Sequence, residues 1–195
     1  MKYTILVIMM LFSFSTFSSE LLSPKEKQTI SSGALVKRVI WKKGFVWPQV
    51  LVYVLLKHTP AQNMSAFSHF DTHKTFIPDM LESRIVKKIS PEQMHVYFEM
   101  KIPWPINKST YTTNNVITQE ADGSHKLTWN LVKSDMLKST EGHMKFIPYE
   151  GKTLLEYDTF IVPNSSFAGM FKNRVETDVE NSVKKIVSHL NQIQL

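Results

Sequence analysis

Three places in the sequence bring together side chains that can do chemistry. His69-x-Asp71-x-His73 sets two imidazoles around a carboxylate, a donor set that suits zinc or a similar ion. A second set pairs Glu141 with His143, two residues apart, and adds Glu99, Tyr97 and Tyr111 from other segments. Held inside a cavity, such an acid–base pair would serve a cyclase or dehydratase, its pKa values displaced by burial. The third, Gly151-Lys152-Thr153, imitates the end of a phosphate loop, but Phe146 stands where the loop's first glycine is required, so a hairpin turn is the simpler reading. There is no Gly-x-Ser-x-Gly elbow, no Gly-x-Gly-x-x-Gly, and no cysteine, which excludes thiolate zinc sites, haem attachment and a cysteine nucleophile. The first two sets also have plain structural readings. Asp71 suits a helix cap between two exposed histidines, and Glu99 shares a solvated strand face with Tyr97 and Lys101. No catalytic residue, metal ligand or cofactor is assigned on this basis.

The elements that would position these groups follow from hydrophobic period. Ser23-Pro24-Lys25-Glu26 is a capping box with proline at the first helical position, so a short helix starts there. Leu35 to Tyr53 reads as strand broken by a turn at Lys43-Gly44, and the unbroken apolar run Val50–Leu56 implies burial on both faces. Thr59-Pro60-Ala61-Gln62 opens a second short helix carrying Met64 and Phe67, and Asp71 is expected to cap a third over His73–Met80. From Glu82 to Val162 the period is two: Val96, Phe98, Met100 and Ile102 alternate with polar residues, as do Leu127, Trp129 and Leu131. Turn signals at Ser90-Pro91, Asp122-Gly123, Ser134-Asp135 and Glu150-Gly151 make this a meander of five or six antiparallel strands. After Pro163 the period becomes 3.6, with Asn164, Ser165 and Ser166 as possible caps. A stripe from Ala168 and Phe171 through Val175, Val179 and Val183 to Ile193 predicts an amphipathic helix of roughly 25 residues. Val179→Asp should be severely destabilising, because it buries an unpaired charge, while Glu180→Ala beside it should cost little.

The fold class is α+β, with the curved sheet's apolar face covered by the terminal helix. The chain of 195 residues has a net charge of +6, a mild basicity compatible with an anionic membrane surface or an acidic partner. Its lysines are scattered and no nucleic-acid motif appears, so a nucleic-acid partner is not expected. Residues 1–18 read as a leader: Met1-Lys2, an apolar run from Tyr3 to Phe14, then Thr16-Phe17-Ser18-Ser19. Cleavage after Ser18 puts small Thr16 at the third position before the cut, where cleavage after Ser19 would put bulky Phe17. Export without cysteine fits a bacterial periplasm better than a eukaryotic secretory route, where small domains use disulfides. The sequons at Asn63, Asn107 and Asn164 are read as chance.

The element order resembles the helix-grip fold of START lipid-transfer domains within the SRPBCC superfamily, which includes polyketide cyclases and allergen-like proteins. Phe76-Ile77-Pro78-Asp79-Met80 leading into Leu81-Glu82-Ser83 resembles that fold's second-helix segment. Lys101-Ile102-Pro103-Trp104-Pro105-Ile106 resembles the strand end with its Pro-x-Pro, and Gly151–Tyr157 the late strand before the last helix. The similarity spans about residues 34–191. In many START domains the Pro-x-Pro leads into Arg-Asp; here Asn107-Lys108-Ser109-Thr110-Tyr111 follows, so no polar pocket contact is carried over. The resemblance implies one domain over 34–195, preceded by a helical lead-in over 19–33, with a cavity for a lipid or similar hydrophobic ligand.

Strand alternation and the helix stripe direct Phe98, Met100, Trp129 and Tyr157 to that cavity, together with Phe171 and Val175. Phe76 and Met80 join them from the short-helix segment. Trp104, between two prolines, is read as a loop anchor, with a membrane-facing aromatic as the alternative. A monomeric carrier or binder of a hydrophobic ligand, with transient membrane-surface contact and a gate in residues 60–80 or an adjacent loop, is the leading expectation. An interaction module with a filled core and a cyclase- or hydrolase-type enzyme are the alternatives.

Overall fold

The protein is represented by a computed structural model that describes residues 21–164 and 168–193. The leader, its Ser18 cleavage point and the caps offered by Ser165 and Ser166 lie outside the described residues. Helix α1 (Pro24–Ser31) and helix α2 (Pro60–Phe67) both start on the expected capping boxes, with Ser23 and Glu26, then Thr59 and Gln62, each satisfying the other's backbone N–H. The chain forms eight strands, six of them over the period-two region: β1 (Val36–Ile40), β2 (Gln49–Leu56), β3 (Met80–Lys88), β4 (Gln93–Lys101), β5 (Lys108–Gln119), β6 (His125–Ser134), β7 (Leu137–Tyr149) and β8 (Lys152–Pro163). They form one antiparallel sheet in the order β1-β2-β8-β7-β6-β5-β4-β3. The turns are set by backbone freedom: Glu150 (φ 47) and Gly151 (φ 75) are both left-handed, which closes a two-residue hairpin between β7 and β8.

The two-faced burial of β2 is real. Val50, Val52, Val54 and Leu56 point inward to the main core with Val183, Ile186 and Leu190 of the terminal helix. Tyr53 points outward and is covered, with Leu154, by Leu22 and Ile30 of the N-terminal segment. Glu26 fastens this cover to β1 through a two-pronged bond from Arg38, both contacts at 2.7 Å. That bond, with the cap, holds the Glu26 carboxyl down at a pKa of about 2.

Three expectations are corrected. The terminal helix is not continuous: α3 (Ala168–Phe171) is a single turn, and α4 (Val175–Gln192) starts afresh. The Trp47 indole N–H donates to the Ala168 carbonyl at 2.8 Å, the acceptor that Lys172 N–H would use in an unbroken helix. Lys172 turns to Gly169 O instead, and Gly169 and Asn173 are weak helix formers. The segment after α2 is a 3₁₀ turn over Phe70–Thr75, not an α-helix to Met80. Asp71 does not cap it, because its carboxylate accepts from Ile85 N at 3.2 Å. Finally, Trp104 anchors nothing: the β4–β5 hairpin closes at Ile102 N to Asn107 O (2.9 Å), the loop between projects beyond the sheet, and Trp104 is 81% exposed.

Candidate ligand cavity

Between the inner face of the sheet, α4 and the Phe67–Met80 segment lies a cavity of about 510 Å³. Small-molecule sites are usually roughly 300–1,000 Å³. Seven of the eight expected residues line it: Met80, Phe98, Met100, Trp129 and Tyr157 from the strands, with Phe171 and Val175 from either side of the helix break. Phe76 does not. Its ring stacks on His189 of α4, centroids 4.0 Å apart and planes 5° from parallel, and closes the seam between that helix and the crossing segment.

The aromatic wall is assembled in pairs, Phe98 against Tyr111 at 5.1 Å and Trp129 against Tyr157 at 5.6 Å. The Trp129 indole lies over Gly142 of β7. A Cβ at position 142 would fall 2.5 Å from Trp129 Cζ2 and 2.2 Å from the Asp158 carbonyl oxygen, so only glycine admits the ring. His73 is buried among Phe67 and Phe70, at ring distances of 4.4 and 5.1 Å. Burial pushes its pKa down to about 4, so the ring is neutral at neutral pH and donates Nε2–H to Phe67 O at 2.7 Å.

The strand that gives most polar lining is β5, whose inner face carries Ser109, Tyr111, Thr113 and Asn115, and α4 adds Asn181 and Ser182. Asn115 Nδ2 donates to Thr113 Oγ1 at 2.7 Å. Burial pushes the Tyr157 phenol up to about 12 and raises that of Tyr111, so both are neutral hydroxyls. The charged lining residues, Asp79, Lys101, Arg174 and Asp178, are exposed and sit where β4 ends, β3 starts and α4 starts. Arg174 is paired with Asp178 at 3.6 Å.

The chemical sets of the sequence fall elsewhere. Glu141 and His143 lie on β7, but His143 points to the outer face, where Nε2 meets Glu156 Oε1 at 2.6 Å. Glu99 is also outside, accepting from Tyr97 at 3.2 Å and Lys108 at 3.2 Å. Of the second set only Tyr111 faces the cavity. His69, Asp71 and His73 turn to three different partners: Ala66 O, Ile85 N and Phe67 O. Among the described residues no group of three or more His, Cys, Asp or Glu is placed to hold a metal ion. Sequence reading missed the polar inner face of β5 apart from Tyr111, and missed Trp47. The Ser/Tyr/Thr/Asn alternation of Ser109–Asn115 was the available signal for the first. Nothing local signals the second, since its partner lies across the fold.

The loops 41–48, 102–107 and 135–136 share one end of the sheet, because an antiparallel meander returns every second connection to the same edge. That end exposes Trp41, Phe45 and Val46 on the β1–β2 loop and Trp104 on the β4–β5 loop, and it carries Lys42, Lys43 and Lys101. Lys43 and Lys101 make no ion pair among the described residues. No helix among them is long and apolar enough to cross a membrane.

No family model matches the sequence, and no curated protein matches it. Solved structures do. The STAR-related lipid transfer protein of Xanthomonas axonopodis superposes with a TM-score of 0.73 at 16% identity, over 81% of this chain and 94% of that one. Human StAR-related lipid transfer protein 5 gives 0.69 at 8% identity, over 81% and 82%. An aromatase/cyclase from a Streptomyces species gives 0.60 at 11%, over 73% and 92%. The chain therefore shares the helix-grip fold of these lipid transfer proteins and of this aromatase/cyclase, a likeness of fold that does not by itself carry an activity.

Proposed function

We propose that the protein is an exported, monomeric carrier that takes up a lipid or other hydrophobic molecule in the cavity under α4, in the periplasm or outside the cell. The observation that carries this reading is the cavity itself. It is large, mostly apolar, and walled by aromatic and methionine side chains that adapt to irregular ligands. A filled-core interaction module would need that space packed. An enzyme would need an inward acid–base pair, and Glu99 and His143 point outward. Burial supplies the affinity, at roughly 25 cal/mol per Å² of apolar surface before the costs of ordering are subtracted.

The carrier reading extends to a docking end. Trp104, Trp41 and Phe45, with lysines between them, suit the interface of an anionic bilayer, where aromatic rings sit at headgroup depth and basic residues meet the surface charge. The ligand then passes at that end, by displacement of the 102–107 loop or of the α3 turn held by Trp47. This is an adjacent-loop gate rather than one made by α2. The test is transfer of a fluorescent lipid from donor to acceptor vesicles containing anionic lipid. The protein should accelerate transfer, and salt should weaken the effect. A protein that neither binds the lipid nor changes the rate contradicts the proposal.

A further inference from the structure

We infer that the cavity selects an uncharged amphiphile whose hydroxyl or carbonyl oxygens face β5, and that Tyr111, Thr113 and Asn115 determine that selection. This rests on the carrier reading above. Strand β5 is interior, paired on both sides by β4 and β6, so its inward side chains can reach solvent only through the cavity. The comparable inner positions of β2 are Val50, Val52, Val54 and Leu56, plain core. On β5 the four that line the cavity, Ser109, Tyr111, Thr113 and Asn115, are polar, and Ile117 beyond them joins the core. A buried polar group without a partner costs free energy, so a polar inner face on an interior strand requires a partner.

The protein supplies only part of it. Ser109 is satisfied by Asp135 at 3.0 Å. Asn115 spends its amide N–H groups on Thr113 Oγ1 at 2.7 Å and Thr113 O at 3.1 Å. What remains faces the cavity: the Thr113 hydroxyl proton, Asn115 Oδ1 and the Tyr111 hydroxyl, none with a hydrogen-bond partner among the described residues. Thr113 is 2% exposed and Asn115 3%. The pattern is specific. Oδ1 accepts only, the Thr113 hydroxyl is left to donate, and the Tyr111 hydroxyl does either. One ligand hydroxyl satisfies an acceptor and a donor at once, and an ester or ketone carbonyl accepts from Thr113 or Tyr111.

Charge has no counterpart at that depth. Asp79, Lys101, Arg174 and Asp178 are exposed at the mouth, and Arg174 is already paired. A carboxylate or phosphate carried in to β5 would be desolvated without a counter-ion, and a bare hydrocarbon would leave the three polar groups unmatched.

Monoolein and oleate share one acyl chain and differ in the head, which makes them the probes. Equimolar amounts compete for protein purified from its host and stripped of lipid, at neutral pH, with bound species read by native mass spectrometry. Monoolein should be preferred at least about tenfold, roughly one hydrogen bond's worth of discrimination. Thr113→Val and Asn115→Leu should each remove most of that preference by weakening monoolein and not oleate, while Thr113→Ser keeps it. If Thr113→Val fails to fold, Tyr111→Phe carries the same comparison. Equal binding of the two probes, or a folded Thr113→Val with its preference intact, overturns the inference and leaves the carrier reading standing. Binding of neither overturns both.

Discussion

Gly142 shapes the cavity wall by lacking a side chain. Gly142→Ala drives a methyl into the Trp129 ring and the Asp158 backbone, and overpacking of this kind costs about 1–3 kcal/mol. The expected result is a lower urea midpoint together with a shifted Trp129 emission; unchanged values for both would mean the indole does not lie on that glycine. His73 contributes to the acid limb of stability. Its folded pKa of about 4 lies below the ordinary 6.5, so between those values the unfolded chain holds a proton that the folded protein refuses. The stability it carries is full above about 6.5 and is lost as pH falls toward about 4. Urea midpoints should therefore drop between about pH 7 and about pH 5, and His73→Phe should flatten that slope by an amount of order 2 kcal/mol. An identical slope in the variant would contradict the assignment. At this scale Phe98, Met100 and Trp129 were legible because apolar alternation is the pattern hydropathy detects. Thr113 and Asn115 were not, because a polar strand residue ordinarily faces water, and Tyr111 was singled out only beside an acid–base pair that the fold turns outward. Phe76 was displaced because its direction depends on a 3₁₀ turn that the sequence presents as α-helix.

Elements whose signals are local were read well, and those that depend on distant partners were not. Both capping boxes, the β5–β6 turn at Asp122-Gly123 and the two-faced β2 carry their cause in adjacent residues. The helix break carries its cause 121 residues away, in the Trp47 bond to Ala168. The structure keeps the expected apolar face of α4 and divides it along its length. Val183 is fully buried against the sheet, whereas Val179 lines the cavity. Val183→Asp should cost about 4 kcal/mol or more, since the carboxylate has no water and no partner. Val179→Asp should cost less, because the cavity can hydrate it, yet should abolish retention of a hydrophobic ligand. Glu180 is no bystander: it accepts from Lys37 of β1 at 2.9 Å and Lys184 at 2.6 Å. Thermal melts of the two aspartate variants decide the matter, and equal losses would mean that the cavity hydrates position 179 no better than the core hydrates 183.

The whole molecule is polarised by its meander. One end gathers the apolar and basic loops together with the cavity mouth, so the proposed docking and ligand passage share one place. Trp104→Ala removes the most exposed of these rings and should weaken binding to anionic vesicles several-fold without moving the melting temperature, because the side chain packs on nothing. Co-sedimentation with vesicles reads this, and unchanged binding would remove Trp104 from the docking end. Trp129→Ala should do the opposite, sparing the membrane and emptying the cavity. The most direct measurement is native mass spectrometry of the protein purified from its own host. The account predicts a non-covalent adduct of several hundred daltons, retained by Trp104→Ala and lost from Trp129→Ala. Protein that emerges empty and takes up no lipid probe afterwards would contradict the carrier reading at its centre.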